Sequence, residues 1–358
     1  MPDRAALRAI LSRFAVDSDD RTPIEPFGRG HINDTYLCKT NPATVLQRVN
    51  RAVFPRPDLV TENVARVTAF LREKIAADGG DPDRETLSPV PEKTTGLPFV
   101  SAEGECYRLT RLISGAESRE AADPDALYLA AKTFGRFLRR LSDFPAGSLY
   151  EVIPGFHDTR ARLAALKAAA DADPRGRAAG VAPELGFALS READCGVIVD
   201  GIADGSIPLR VTHNDTKLNN FLFDEKTGAC LALIDLDTVM PGSLLSDYGD
   251  ALRFAASSAA EDEADLDKVF LKVENVAAFT RGFLEETGDY LAKRERELLP
   301  FSIRLITLEC GMRFLTDYLN GDVYFKTEYP THNLDRARNQ FALVADIERK
   351  LPALEKLV

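Results

Sequence analysis

The fold of this chain is decided by residues 209–253, which read LRVTHNDTKLNNFLFDEKTGACLALIDLDTVMPGSLLSDYGDALR. A short apolar run opens the stretch and leads into a polar loop, which carries Asp215 and, five residues later, Asn220. Two strand-like runs follow, with the chain-reversing residues DEKTG between them, and the second run ends at Asp235. The pattern predicts a β-hairpin that returns Asp235 to the loop beside Asp215 and Asn220.

This set of side chains is typical of phosphoryl transfer from ATP. The reaction needs a carboxylate that orients the acceptor hydroxyl, and oxygen ligands for Mg²⁺, which prefers carboxylate and amide oxygen. We assign Asp215 to the acceptor hydroxyl as the catalytic residue, and Asn220 and Asp235 to the metal. An isolated aspartate is more often a turn or capping residue, but three such residues in this order favour the catalytic interpretation.

Other polar residues of the stretch have structural interpretations. We expect His213 to hydrogen-bond the backbone of the catalytic loop rather than to act as a base. Asp224 is interpreted as a residue of the hairpin turn, and Asp237 as a solvated loop residue.

Four segments resemble the bacterial N-acetylhexosamine 1-kinases, within the aminoglycoside phosphotransferase and choline kinase superfamily: THNDTKLNN, IDLDTVMPGS, DYGDALRF and ECGMRFLTDYL. The similarity extends from GHINDTY near the start to EYPTHNL near the end. It implies an α+β, protein-kinase-like two-lobe fold, with Asp247 holding the catalytic loop from below. It also implies ATP- and Mg²⁺-dependent phosphorylation of the anomeric hydroxyl of an N-acetylhexosamine, in carbohydrate metabolism.

Composition and charge narrow the class of protein. The 358 residues are 45% hydrophobic and 28% charged, and the net charge of −11 makes binding to nucleic acid or to an anionic membrane unfavourable. The five cysteines are scattered without a C-x-x-C pair, which favours reduced thiols over a disulfide framework or a zinc site. The sequence shows no signal peptide and no apolar run of membrane-spanning length. We therefore expect a soluble, cytoplasmic monomer with no nucleic-acid or membrane partner.

The candidate nucleotide loop lies between two strand-like runs near the start of the chain. Gly28 and Gly30 are close enough to form a loop whose backbone approaches phosphates, although a plain hairpin turn has the same pattern. The resemblance implies that these glycines bind ATP and that His31 contacts the sugar.

The strand-like run 44–49 lacks the lysine that kinases usually place on their third strand. Arg48 takes the matching position, where it either binds phosphate or is a solvated strand charge. Glu62, on a predicted helix at 58–75, is the natural partner of Arg48, although an exposed helix glutamate is the commoner outcome.

Arg313 lies in an apolar helical stretch at 295–319, where an unpaired guanidinium would be costly to bury. Glu309, one turn earlier, is one candidate partner. The resemblance instead implies that Arg313 donates hydrogen bonds to the sugar and that Tyr324 is a second sugar contact. The acidic run 261–267 is interpreted as a solvated helix N-terminus rather than a site for a cationic substrate.

The composition changes from strand-rich to helix-rich near residue 112. This predicts a nucleotide-binding N-lobe at 1–112 and a C-lobe at 113–358 with the catalytic loop, metal site and sugar pocket. Helical spacing predicts helices at 3–15, 58–75, 159–172 (capped by Asp158), 184–203, 295–319 and 333–356. Two rival functions stay open: a small-molecule kinase for an aminoglycoside, choline or homoserine, and a catalytically silent, nucleotide-binding pseudokinase.

Overall fold

The structure is a computed structural model that describes residues 3–28, 32–119 and 123–358. The strands are β1 Ile24–Pro26, β2 Asp34–Cys38, β3 Thr44–Val49, β4 Pro89–Val90, β5 Val100–Ala102, β6 Glu105–Arg111, β7 Ala116–Ser118, β8 Arg210–Thr212, β9 Phe221–Asp224, β10 Cys230–Leu233 and β11 Met240–Gly242. The α-helices are α1 Arg4–Leu11, α2 Pro57–Ala77, α3 Pro82–Glu85, α4 Pro124–Arg140, α5 Thr159–Ala172, α6 Ala182–Leu189, α7 Val197–Ala203, α8 Leu244–Ala255, α9 Val273–Thr287, α10 Lys293–Asn320 and α11 His332–Leu354. The α+β class is as predicted.

The chain divides into two units, and each is made of separate pieces of sequence. The first unit comprises Met1–Ser118, Arg140–Ile153 and Asn220–Pro241. The second comprises Arg119–Arg139, Pro154–Asn219 and Gly242–Val358. The predicted hairpin, which comes from the middle of the sequence, therefore belongs to the first unit.

The first unit is built on an antiparallel sheet with the strand order β1-β2-β3-β6-β4, and β5 also pairs with β6. One face packs on α1, because Leu46 and Leu109 join the buried Leu11 in one core. Val49 points to the other face, where it packs with Val60 of α2. Each fully buried side chain of this kind contributes about 1.5–3 kcal/mol.

The second unit is mainly helical, and α10 is its central element, since it packs on α5, α8 and α11. Its apolar residues are buried all round, including Leu308 and Met312. Helix α8 approaches α10 closely at Gly249, where an added Cβ would lie 2.5 Å from the carbonyl oxygen of Ser302. A residue with a side chain does not fit there.

Two predicted helical features are wrong. The helix expected over 184–203 is interrupted, because α6 ends at Leu189 and a 3₁₀ turn precedes α7. Arg191 ends α6 by stacking on the Phe187 ring and donating to the Phe187 carbonyl at 2.8 Å. The acidic run 261–267 does not open an α-helix, since α9 begins at Val273, and Glu261 instead pairs with Arg253 at 2.6 Å.

The predicted cap of α5 is present. The Asp158 side chain caps α5 by accepting a hydrogen bond from the Ala161 backbone N–H at 2.9 Å. All five cysteines are buried and form no disulfide, and burial raises the pKa of Cys38 and Cys106 to about 11, which keeps both as thiols. Within the described residues, no helix has the length and apolar character needed to cross a membrane.

Candidate active site

The catalytic loop belongs to the second unit and is held by Asp247 on α8. The buried Asp247 carboxylate accepts hydrogen bonds from the backbone N–H groups of His213 at 2.8 Å and Asn214 at 2.5 Å. The Thr216 hydroxyl donates to the Asp247 carbonyl at 2.6 Å. Burial raises the pKa of Asp247 to about 6, against the lowering effect of His213 and the two N–H donors. These contacts fix the backbone on both sides of Asp215.

The loop conformation is unusual immediately before Asp215. Asn214 has a φ of 64°, in the left-handed region that asparagine tolerates better than most residues. The Asp215 N–H donates to His213 Nδ1 at 3.2 Å, as expected for a histidine that orders the loop backbone. His213 Nδ1 is the acceptor in this hydrogen bond.

Lys217 is a residue of this loop that the sequence interpretation missed. Its Nζ lies 2.7 Å from Asp215 Oδ1. Burial acts to lower the pKa of Lys217, but the carboxylates of Asp215 and Asp250 outweigh it and leave the pKa raised. The ammonium therefore stays charged beside the candidate catalytic carboxylate. The two-residue spacing from Asp215 was the available signal.

Asn220 and Asp235 belong to the first unit, and the hairpin brings them together. Strands β9 and β10 pair antiparallel, and the Ile234 N–H donates to the Asn220 carbonyl at 2.8 Å, so Asp235 follows directly after a residue paired with Asn220. Asp224 lies in the turn as predicted, where it accepts from the Thr227 N–H at 2.7 Å.

The Asn220 and Asp235 side chains suit a magnesium ion. Asp235 is exposed and has a φ of 59°, a left-handed conformation that is rare outside glycine and concentrates at functional sites. Asn220 adds an amide oxygen, and Mg²⁺ typically binds one or two such protein groups together with phosphates and water. Among the described residues, no group of three or more His, Cys, Asp or Glu side chains could hold a metal. A magnesium-binding role for Asn220 and Asp235 stays a prediction.

Asp237 is buried rather than solvated, so that prediction is wrong. Its carboxylate forms an ion pair with Arg108 of β6, and both side chains are 6% exposed. The Asn33 amide also donates to Asp237 Oδ2 at 2.7 Å. Arg108 Nε in turn donates to Gln47 Oε1 of β3 at 2.9 Å. This network ties the loop after Asp235 to three segments of the first unit.

Arg48 lies elsewhere on the sheet. Its guanidinium binds Asp34 at 2.5 Å and Glu105 at 3.2 Å, and the side chain is 35% exposed. The less favoured alternative, an ion pair with Glu62, is not formed, because Arg48 shares the α1 side of the sheet with Leu46 whereas α2 packs on the other side. A nucleotide-binding role for Arg48 stays a prediction.

Gly28 is the described residue of the candidate nucleotide loop. Its φ of 77° requires glycine, and among the described residues, its chain neighbours apart, no atom lies within 4 Å of the position that a Cβ would occupy. Open space over the backbone is what a close approach of phosphate needs. Gly30 and His31 lie outside the described residues.

Of the two alternatives for Arg313, the one-turn ion pair with Glu309 is not formed. The buried Glu309 carboxylate accepts from the Thr159 hydroxyl at 2.6 Å and lies 2.8 Å from His157 Nδ1. Burial opposes both charges, but the pairing outweighs it, which leaves the pKa of Glu309 lowered and that of His157 raised. His157 and Glu309 form a charged pair that no local sequence pattern predicted.

The Arg313 guanidinium lies between two aromatic rings, 5.5 Å from the centre of Phe156 and 5.6 Å from that of Phe325. Within the described part of the chain it makes no ion pair, so its N–H groups are available to a ligand. Tyr324 is 68% exposed and precedes Phe325. The backbone N–H groups of both residues donate to the Asp317 carboxylate at 2.9 Å, which fixes this segment.

Comparisons with known proteins agree with this chemistry. A family model described as the phosphotransferase enzyme family (APH) matches residues 23–283, well over half of the chain.

Three solved structures illustrate the similarity. An aminoglycoside phosphotransferase from Alicyclobacillus acidocaldarius has a TM-score of 0.63 at 14% identity, covering 99% of this chain and 96% of that one. An ethanolamine kinase from Plasmodium vivax has a TM-score of 0.56 at 13% identity, covering 91% and 84%. An amicoumacin kinase in complex with AMP-PNP, Ca²⁺ and Ami has a TM-score of 0.56 at 13% identity, covering 98% and 94%. At these identities the similarity shows the fold, and it confirms the predicted kinase-like α+β class.

Proposed function

Because the chain belongs to the phosphotransferase enzyme family, as a small-molecule kinase of the aminoglycoside phosphotransferase and choline kinase superfamily, we propose that it phosphorylates the anomeric hydroxyl of an N-acetylhexosamine. The products are the sugar 1-phosphate and ADP. The observation that carries the proposal is the Arg313 guanidinium over the Phe156 and Phe325 rings, with the exposed Tyr324 directly before Phe325 in the chain.

In the proposed reaction, the anomeric oxygen forms a bond to the γ-phosphorus as the bond to the bridging oxygen of ADP breaks. Asp215 orients the hydroxyl and accepts its proton. Lys217 keeps a positive charge 2.7 Å from that carboxylate and offsets charge on the transferring group. Asn220 and Asp235 would hold Mg²⁺, which would supply further charge neutralisation when bound. Direct transfer needs no covalent enzyme intermediate.

The choice of a neutral sugar rests on the charges of the second unit. A cationic acceptor, such as an aminoglycoside or choline, would want carboxylates or aromatic faces available to it. Here the Glu309 carboxylate is bound by His157 and Thr159, and the Arg313 guanidinium lies over the Phe156 and Phe325 rings, where its positive charge repels a cationic acceptor. A guanidinium with available N–H groups suits hydroxyl and acetamido oxygens.

The test is magnesium-dependent ADP release from ATP with N-acetylglucosamine, N-acetylgalactosamine, choline, kanamycin and homoserine side by side. We expect turnover with the two acetylated sugars and none with their methyl glycosides, in which the anomeric oxygen is blocked. Turnover confined to another acceptor would overturn the sugar assignment. ATP binding without turnover on any acceptor would instead favour a nucleotide-binding pseudokinase.

We further propose a reducing compartment, such as the cytoplasm, and a monomeric state. Five buried cysteines that form no disulfide support the first proposal. Light scattering on the purified protein tests the second, and a dimer mass would contradict it.

A further inference from the structure

Within residues 3–28, 32–119 and 123–358, the third strand makes no ion pair of the kind by which protein kinases connect a strand to a helix at the nucleotide. That pair joins a lysine on the third strand to a glutamate on the neighbouring helix, and it must be in place for activity. Here β3 reads TVLQRV and contains no lysine, and Arg48 is bound by Asp34 and Glu105. Another contact must therefore order the elements around the nucleotide.

We call the loop that carries Asp235 and Asp237 the metal loop. The strand register shows which side of the sheet faces it. Gln47 of β3 lies opposite Arg108 of β6, and Arg48 lies opposite Tyr107. Because neighbouring residues of a strand point to opposite faces, Gln47 and Arg108 share one face and Arg48 points to the other. Asp237 contacts Arg108, so the loop that carries Asp235 lies on the Gln47 and Arg108 face.

The contact itself is buried and specific. Arg108 and Asp237 are each 6% exposed, and Asp237 follows Asp235 by two residues in a short 3₁₀ turn. The same turn is held from α2, since the buried Asn63 amide donates to the Val239 carbonyl at 3.0 Å. Helix α2 therefore reaches the metal loop through Asn63 and not through its neighbour Glu62.

We propose that Arg108 and Asp237 form a positioning pair that fixes the Asp235 loop against the nucleotide face of the sheet. This pair takes the place of the strand-lysine and helix-glutamate pair of kinases. The Asn33 amide also donates to Asp237 at 2.7 Å. This contact joins the segment after the candidate nucleotide loop to the Asp237 carboxylate. The inference rests on the proposed function for its nucleotide and magnesium, but not for its acceptor.

The test measures equilibrium binding of a fluorescent ADP analogue as Mg²⁺ is titrated, with no acceptor present. Loss of residues that orient metal ligands typically raises the metal requirement by about 10–100-fold. We expect Arg108→Met and Asp237→Asn each to raise the Mg²⁺ concentration at half-maximal binding by about tenfold or more. Arg108→Lys, which keeps the charge, should recover part of the loss. Arg140→Met removes a matched arginine that pairs with Glu85 in the same unit, and it should leave the Mg²⁺ requirement unchanged.

A double variant separates positioning from stability. Replacing a buried ion pair by apolar residues of similar volume often restores stability, whereas removing one partner leaves a buried charge. We therefore expect Arg108→Met with Asp237→Leu to recover the thermal unfolding midpoint that either single change lowers, but not the Mg²⁺ requirement. The proposal would be overturned if the double variant recovered both the unfolding midpoint and the Mg²⁺ requirement. It would also be overturned if the single variants left the Mg²⁺ requirement unchanged. A raised requirement in Asp237→Asn alone would make Asp237 a metal ligand and would also overturn it.

These outcomes are distinct from a failure of the proposed function. A chain that binds Mg²⁺ and ADP as described but phosphorylates no sugar would leave the positioning pair intact and would remove only the acceptor assignment.

Discussion

Lys217 Nζ lies 2.7 Å from Oδ1 of Asp215, so the candidate catalytic carboxylate carries a cation two residues away in the chain. A fixed positive charge at this position acts on charge that develops as the phosphoryl group moves. We expect Lys217→Met to lower kcat by about 100-fold and to leave the KM for the sugar within about threefold. Lys226→Met, in the exposed hairpin turn, is the matched control. An unchanged kcat in Lys217→Met would show that the contact is only structural.

Asp215→Asn keeps the size of the side chain but removes the proton acceptor. Because the backbone around it is held by Asp247, we expect the loop and nucleotide binding to survive. Turnover should fall by about 1,000-fold or more, measured as ADP release. Asp171→Asn, on the exposed end of α5, serves as the control. Undiminished turnover would remove Asp215 from the mechanism.

Arg313→Met keeps the length of the side chain and its packing on Phe156 and Phe325 but removes the hydrogen-bond donors. We expect the KM for the sugar to rise by about tenfold, because a polar contact of a charged group is worth roughly 1.5–3 kcal/mol. The KM for ATP should not change. Arg336→Met is the control, because it removes a comparable guanidinium over the Phe314 ring. We expect it to leave the KM for the sugar unchanged. A KM shift for ATP instead would place Arg313 outside the sugar contacts.

The His157 and Glu309 pair makes stability depend on pH. The raised pKa of His157 means that its contribution is full below the ordinary value of 6.5 and is lost as pH rises through the raised value. The lowered pKa of Glu309 means that its contribution is full above the ordinary value of 4.5 and is lost as pH falls through the lowered value. Asp250 reinforces the charge on His157, and Arg313 opposes it.

The pair is therefore fully charged between these two ordinary values. We expect His157→Gln to cost about 3 kcal/mol of unfolding free energy near this range, because it leaves a buried carboxylate without its cation. Chemical denaturation at several pH values should show the difference between the two proteins shrinking as the solution becomes alkaline. A difference that stays constant with pH would mean that His157 is neutral in the folded chain.

Gly249→Ala tests the close packing of α8 on α10. The new Cβ would lie 2.5 Å from the backbone oxygen of Ser302, and backbone cannot move aside as a flexible side chain can. We expect a loss of about 2 kcal/mol or more in unfolding free energy. The Cβ added by Gly186→Ala in α6 would have no neighbouring atom within 4 Å outside the backbone of its own helix. We expect this substitution to raise the unfolding free energy by about 0.5–1 kcal/mol. Equal effects of the two substitutions would show that α8 and α10 can separate at little cost.

Local patterns were enough to predict the hairpin and the cap of α5. Turn-forming residues between two apolar runs define a hairpin, and the Asp158 capping interaction spans three residues. The neighbouring positions of Asn220 and Asp235 followed from the hairpin alone. The helices at 58–75, 295–319 and 333–356 were found within a few residues for the same reason, since their spacing is local.

The features that were missed depend on contacts between distant residues. Whether Arg48 or Arg108 faces the metal loop depends on the register of β3 against β6, which no single run contains. The local sequence predicts a solvated Asp237, because its partner Arg108 lies far earlier in the chain. His157 and Glu309 are separated by 152 positions, so their pairing left no local signal. Lys217 is the exception, because its spacing from Asp215 was visible.

The divided first unit has a consequence for how the protein is made. Synthesis from the N-terminus completes Met1–Ser118 long before Asn220–Pro241 leaves the ribosome, and much of the second unit is made in between. Until then the nascent sheet carries Arg108 without Asp237, an uncompensated charge at a position that the finished protein buries. The sheet is thus expected to reach its mature packing late, after the hairpin has emerged, and a fragment cut at Ser118 would keep that exposed charge permanently.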